Sequence, residues 1–424
     1  MSYPTGPATP YRRTMPPTPT AVDTNQRRSM GQRELLTFVS AAIGLMALAI
    51  DAMLPAFDEM RETFGLEPGS TQIGHTLTAF FAGIAIAQLA WGPLTDRFGR
   101  RPILYAGLLL YVAGAVASAL APSLGTLIAA RFLWGLGAGG PRVVVTAIVR
   151  DTYVGQEMAR AMSQVMAVFI LVPIIAPSLG AAIMVVAPWE TIFWLCGVAG
   201  VGLGVWAIRL PETLTEENRR PLRLSELRDA GRRIVRTPVT FRTTVASIVI
   251  QGAMTLYLTT SEVIVGEVYD RDSWFPFVFG AIAVCLALAS ITNGRLVTRL
   301  GLSRSIGLQS RAMAVTSAAL VAITVAFDLP NFYVFHAALA LTVSSYMMIS
   351  PNLNAAGMVP MGDMAGTASS VISATRLGFG AVIAALMTGI IGDSLLGFAI
   401  ATAVFATTAA AVAAVSTPED LEAG

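Results

Sequence analysis

The chain has no lysine among its 424 residues, two cysteines, two histidines and only 13% charged residues. Each shortage closes off a class of protein. A soluble domain carries about 25% charged residues, so an ordinary soluble globule is excluded. Cys196 and Cys285 both fall inside apolar runs. Two such thiols build no disulfide framework, and no cysteine–histidine cluster has metal-ligand spacing. No G-x-x-x-x-G-K-S/T stretch occurs, so there is no phosphate-cradling loop through which ATP would supply energy. No nucleophile–base pair or metal constellation stands out, so neither an enzyme nor a cofactor-binding protein is expected, and no nucleic-acid partner. All 28 basic residues are arginine, which reads as codon usage rather than mechanism. A cleavable leader is not expected either. The first apolar run is long, follows about 33 polar residues and lacks an A-x-A cleavage pattern.

Apolar sequence is what the chain has in abundance: 54% of residues are hydrophobic and the mean hydropathy is +0.66. The apolar runs recur at about 20 residues each, the length at which a helix crosses about 30 Å of hydrocarbon. They are too long for strands and do not alternate. The composition therefore predicts an all-α membrane protein with twelve transmembrane helices, at 34–56, 72–93, 102–121, 124–148, 160–186, 190–209, 243–265, 274–297, 305–327, 331–351, 365–391 and 394–415. The expected organisation is a disordered cytoplasmic tail (1–33), a six-helix bundle (34–210), a cytoplasmic linker loop (211–241), a second six-helix bundle (242–415) and a short cytoplasmic tail (416–424). "GLGAGG" at 135–140 lies inside an apolar helix with no preceding strand. It reads as small-residue helix packing rather than a dinucleotide loop.

Arginine placement predicts orientation. The tail, the second, fourth and eighth connections and the central loop carry most of the arginines, whereas the opposite side has only Arg61 and Arg271 amid acids such as Asp58, Glu59, Glu62 and Asp272. Both termini are expected in the cytoplasm. An internal repeat supports two related halves: "GPLTDRFG" from Gly92 and "GRLVTRLG" from Gly294 share Gly, Leu, Arg and Gly at identical spacing. Two such halves with a site between them is a transporter architecture.

"GPLTDRFGRRP", 92–102, is a tight, charged, glycine-punctuated turn between two helices. It resembles the loop motif of the major facilitator superfamily, G-x-x-x-D-R-x-G-R-R, at all six fixed positions. "RFLWGLGAGG" from Arg131 resembles that family's fourth-helix motif. "VPIIAPSLGA", 172–181, is similar to the fifth-helix antiporter motif; it keeps Pro177 and Gly180 but has Val172, Ala176 and Ala181 where the motif has glycine. "DAMLP" from Asp51 resembles the first-helix pattern of drug:proton antiporters, and "LPETL" and "AGTASS" resemble the Bcr/CflA group of multidrug efflux proteins. The resemblance covers nearly all of 34–415. It implies two pseudo-symmetric six-helix bundles, a bacterial inner-membrane location, and proton-coupled export by alternating access with no cofactor beyond the proton gradient. It further implies that Asp96, Arg97, Gly99, Arg100, Arg101 and Asp151 form a conformational charge cluster joining the two halves in the outward-facing state. Pro177 and Gly180 are counted with this gating set.

Ionisable groups deep in a span are costly and are functional candidates by default. Asp51 lies about 25 Å, and Arg131 about 20 Å, from the tail side at 1.5 Å per residue. The two are expected to face one cavity and to couple protons to cargo; a static ion pair and an interfacial position for Asp51 are the other readings. Arg376 lies mid-span, about 18 Å from its helix start, where Bcr/CflA-like chains are usually uncharged. It is expected to pair with Glu262, to contact an anionic cargo, or to snorkel toward water. Arg142 reads as a gate or interface residue. Met53, Tyr257, Glu262, Tyr346 and Arg376 are the candidate cargo contacts. The expected function is proton-coupled export of amphipathic organic compounds by a monomer in the lipid bilayer. The alternatives are a narrow-specificity transporter of an anionic metabolite or siderophore-like compound, and a receptor or channel that moves no substrate.

Overall fold

The computed structural model describes residues 30–153, 155–219, 224–392 and 394–414. Most of the expected N-terminal tail and all of the C-terminal tail lie outside the described residues, and the first helix begins at Gln32. The described chain is helical: α1 (Gln32–Asp51), α2 (Phe57–Thr63), α3 (His75–Phe98), α4 (Arg100–Ala119), α5 (Leu124–Thr152), α6 (Gly155–Met184), α7 (Glu190–Trp206), α8 (Leu224–Arg236), α9 (Pro238–Val263), α10 (Phe275–Leu300), α11 (Leu302–Ala326), α12 (Phe332–Met358), α13 (Ala365–Ile391) and α14 (Leu395–Ala414). Twelve segments among the described residues are long and apolar enough to cross a membrane, with α1 and α2 sharing the first. Below, the face on which α1 begins is the tail face and its opposite is the far face.

Several helices run four to seven residues past the spans read from hydropathy, mostly on the tail face: α3 continues to Phe98, α12 to Met358, and α9 starts at Pro238. These turns carry charged and hydroxyl residues, so a hydropathy window sees only the part that crosses hydrocarbon while the hydrogen-bond ladder continues beyond it. The central connection is also more ordered than a loop. α8 sets Leu227, Ala230 and Ile234 on one stripe, and Ile234 packs against Met361, Ala368 and Ile372, with the arginines on the remaining faces.

The first span is broken. α1 ends at Asp51, a 3-10 turn follows at Leu54–Ala56, and α2 begins at Phe57. Pro55 has no N–H to donate to the Asp51 carbonyl, four residues back, so the ladder stops there.

The two halves repeat in geometry as well as in sequence. α3 passes into α4 through Gly99 at φ +105°, and α10 into α11 through Gly301 at φ +78°. A side chain is disfavoured at both positions. What holds the corresponding helices together differs between halves. In the first, Trp134 of α5 is fully buried and meets Phe80, Tyr111 and Phe193 edge-on, with centroids 5.4–6.1 Å away. In the second, three amides link α10, α11 and α12: Gln309 Nε2 donates to Asn293 Oδ1 at 2.7 Å, and Asn352 Nδ2 donates to Gln309 Oε1 at 2.7 Å and to Asn293 Oδ1 at 2.8 Å. The halves meet where α3 packs on α13 and α6 on α10.

The glycine run of α5 serves close packing, as its sequence context suggested. A Cβ on Gly137 would strike the backbone nitrogen of Tyr111, and one on Gly135 the carbonyl of Phe80, so α5 lies nearly backbone-to-backbone against α4 and α3. Gly137→Ala is expected to cost about 1–3 kcal/mol through overpacking, read as a lowered thermal unfolding midpoint in detergent. Gly125→Ala, on the same helix but in open space, serves as the neutral control.

Candidate functional site

Asp51 is 4% exposed and has no hydrogen bond or ion pair to any described residue. It stands at the α1 break, on the side facing the second half, near enough to the Tyr257 phenol of α9 to act on it electrostatically. α6 closes one flank. Gly180 lets its backbone approach the Ala52 carbonyl so closely that a Cβ would overlap it. The one glycine that "VPIIAPSLGA" keeps from the motif thus has a steric reason: it places α6 against the residue next to Asp51. Met53 is buried at the same break, and Pro177 is buried on α6.

Arg131 does not meet Asp51. Its guanidinium is 0% exposed, donates Nη1 to the Ala49 carbonyl at 3.0 Å, and lies 4.3 Å from the Phe80 ring centroid and 4.8 Å from that of Trp134. The expectation that these two residues share one cavity is corrected by helix geometry. Residues 49 and 51 project about 200° apart around α1, so Arg131 grips the face turned into the first half while Asp51 is turned away from it. The aromatic faces and one carbonyl stand in for a counter-ion.

Glu262 does not pair with Arg376. It pairs with Arg61, Oε2 to Nη2 at 2.5 Å and Oε1 to Nη1 at 3.3 Å. Arg61 also binds Asp58 and donates Nε to the Ser70 carbonyl at 3.0 Å. The Asp272 carboxylate lies within 4.8 Å of those of Asp58 and Glu262, and Arg61 is 2% exposed. The ion pair joins α2 of the first half to α9 of the second at the far face, and Gly74 sits against Thr259 beside it. The reason Glu262 pairs here is depth: it lies within a turn of the far-face end of α9, whereas Arg376 is on the tail-face half of α13.

Arg376 instead donates Nη1 to Ser350 Oγ at 3.3 Å, and its Nε is buried without a partner. Tyr257 stacks on Phe279, with centroids 5.8 Å apart and planes at 9°. It lines a narrow apolar recess with Ser261, Ile282, His336 and Leu339. Tyr346, expected as a cargo contact, is turned into the second half, where its hydroxyl donates to the Thr402 carbonyl at 2.8 Å and the ring is 1% exposed. A tyrosine tied to α14 in this way is packing.

The tail-face charges gather around Arg100. It reaches Asp96 at 2.8 Å, Asp151 at 2.9 Å and the Thr95 carbonyl at 2.9 Å. Arg97 and Arg101 lie outside this knot, over the Phe98 and Tyr105 rings respectively. Every partner of the Arg100 side chain belongs to the first half, so in this structure the cluster does not join the two halves. Sequence reasoning missed Glu212, which accepts the Arg100 N–H at 2.8 Å and the Arg101 N–H at 3.0 Å. It caps the N-terminus of α4, where a carboxylate meets the unsatisfied amides and the positive end of the helix dipole. The signal was its place in "LPETL". Arg61 was also missed as a site residue; its signal was its rarity, as one of two arginines on an otherwise acidic side.

Comparison with known proteins agrees with this architecture. The family model of the Major Facilitator Superfamily matches residues 39–385, and the chain belongs to that family. It is 28% identical over 371 residues to a bicyclomycin resistance protein homolog of Haemophilus influenzae, covering 86% of this chain and 92% of the relative. Over 138 residues it is 36% identical to the multidrug resistance protein MdtL of Escherichia coli, 32% of this chain and 35% of that one. Its fold matches the crystal structure of a D-xylose–proton symporter with a TM-score of 0.70 at 13% identity, covering 88% of this chain and 96% of that one. The protein is an integral membrane transporter of two pseudo-symmetric six-helix bundles, and not an enzyme.

Breaking one side of a buried ion pair costs about 3–5 kcal/mol, so Glu262→Gln should loosen the far face. The expected outcome is faster labelling of a Tyr257→Cys reporter by a far-face thiol reagent, in a background carrying Cys196→Ser and Cys285→Ser. The swap Arg61→Glu with Glu262→Arg should bring labelling back toward the parent rate.

Proposed function

We propose that the protein exports amphipathic organic compounds in exchange for protons, by alternating access, across a bacterial inner membrane. In this reading the tail face is cytoplasmic, the far face is external, one chain carries the whole site, and the proton gradient is the only energy source. The relatives named for drug resistance support the cargo class, and the arginine-rich tail face supports the orientation.

The observation that carries the proton coupling is Asp51. It is a carboxyl enclosed at a helix break between the halves, with no cation, hydroxyl or amide paired to it among the described residues. Such a group is neutralised by taking up a proton, and the change in charge alters how the surrounding α1, α6 and α9 pack. Arg131 acts as a positioning residue through its bond to the Ala49 carbonyl, fixing the helix end on which Asp51 sits. Tyr257 and Met53 line the cargo path near Asp51.

The cycle follows from which contacts cross the halves. In this conformation Arg61–Glu262 ties the halves at the far face, and cargo enters from the tail face. Cargo binding drives release of the Asp51 proton to the cytoplasm and the halves rock, breaking the Arg61–Glu262 tie. Cargo leaves outside, and an external proton returns Asp51 to its neutral form. Asp96, Arg97, Gly99, Arg100, Arg101 and Asp151 bias the second state, since ion pairs remade at a moving interface shift a two-state equilibrium.

In proteoliposomes with an imposed pH gradient, Asp51→Asn is expected to abolish gradient-driven accumulation of cargo while leaving exchange of labelled for unlabelled cargo intact. Undiminished gradient-driven transport by that variant overturns the coupling role.

A further inference from the structure

Arg142 and Arg376 stand at the same height from opposite halves. Arg142 is ten residues from the tail-face end of α5 and Arg376 eleven from that of α13, or about 15 Å and 16 Å at 1.5 Å per residue. Each belongs to the membrane-spanning part of its helix. Arg142 acts electrostatically on Arg376 across the interface. Neither has a carboxylate partner among the described residues. Arg142 has only the Met46 sulfur 4.0 Å from Nη1. Arg376 has the single bond to Ser350, and its Nε is left without an acceptor. Both side chains are half-buried.

Two unneutralised cations at one height inside a membrane protein are unfavourable unless something of opposite charge comes between them. The packing does not hide them from each other, as it hides Arg131 among aromatic rings. Arg376 is bonded to α12 rather than extended along its own helix toward tail-face water, so snorkelling does not account for it. Arginine presents a planar fork that fits an oxyanion through two parallel hydrogen bonds, and charge-assisted bonds of this kind are the strong ones. Met46, at the Arg142 guanidinium, supplies adaptable apolar surface beside the pair.

We propose that Arg142 and Arg376 form a two-sided clamp for the carboxylate or sulfonate headgroup of an amphipathic organic anion, entered from the tail face. The inference deepens the export reading by naming the cargo's headgroup, and it rests on that reading only for the direction of transport. Because the clamp takes one arginine from each half, the anion draws α5 and α13 together, whereas an empty clamp pushes them apart. Bound cargo therefore favours a conformation with the tail-face cleft narrowed, the step an exporter needs before it opens outward. Export of an anion against entry of a proton also moves charge in the same sense twice, so transport should respond to membrane potential as well as to the pH gradient.

The test uses two probes of one shape, 2-naphthoate and uncharged 2-naphthamide, titrated by calorimetry into purified full-length protein. The wild type should bind the carboxylate about tenfold tighter than the amide. Arg142→Gln and Arg376→Gln should each reduce that preference to about threefold or less, and Arg376→Lys should retain part of it. Variants are compared only where their thermal unfolding midpoint matches the parent's; for any that do not, the same preference is read from the corresponding lysine variant. Equal binding of the two probes by the wild type, or a preference that survives loss of both arginines, overturns the clamp. A preserved carboxylate preference with no gradient-driven transport overturns the export reading and leaves the clamp standing. Gradient-driven transport with equal probe binding does the reverse.

Discussion

A charge placed within about 30 Å of hydrocarbon has to be neutralised, caged, or left facing water or a ligand, and the arrangement of this protein follows from how it meets that demand at each site. Arg61 is neutralised by Glu262 and Asp58. Arg131 is caged by Phe80, Trp134 and Phe193 with one backbone carbonyl. Arg142 and Arg376 are neither, having only the Met46 sulfur and the Ser350 hydroxyl beside them among the described residues. Asp51 is the acid that has been given nothing. The structural charges are thus the ones with partners, and the candidates for transport chemistry are those without.

The two halves share a backbone plan but differ in what stiffens them. The first uses a charged knot on Arg100, closed by Glu212, where the second has Thr298 and Leu302 at the positions of Asp96 and Arg100 and relies on the Asn293–Gln309–Asn352 amides instead. An amide network changes little with pH or membrane potential.

The twelve spans, the repeat and the helix-packing role of "GLGAGG" were legible because hydropathy and small-residue spacing are local properties. The spacing in "DAMLP" was also legible, and its physical content emerged only with the backbone: an acid four residues before a proline is the acid at which the helix ladder stops. Partnerships were not legible. Height along a helix can be counted from sequence, but rotation about it decides who meets whom. Height alone suggested Asp51 with Arg131; a 200° difference in direction around α1 separates them. Arg376 was recognised as out of place, and its counterpart Arg142 was set aside as a gate residue because nothing in either segment says that the two helices face each other.

The cap that Glu212 places on α4 has a consequence for how the chain is joined. The segment after α7 folds back onto the first half, and Thr213 reaches Asp151 as well. The first half therefore carries its own closing strap. α8, by contrast, is fastened to the second half through Ile234 and the Arg233 bond to the Pro360 carbonyl. The connection serves as a tether that sets the local concentration of one half around the other. The halves meet through the faces of α3, α6, α10 and α13, so the tether adds proximity while those faces supply the fit.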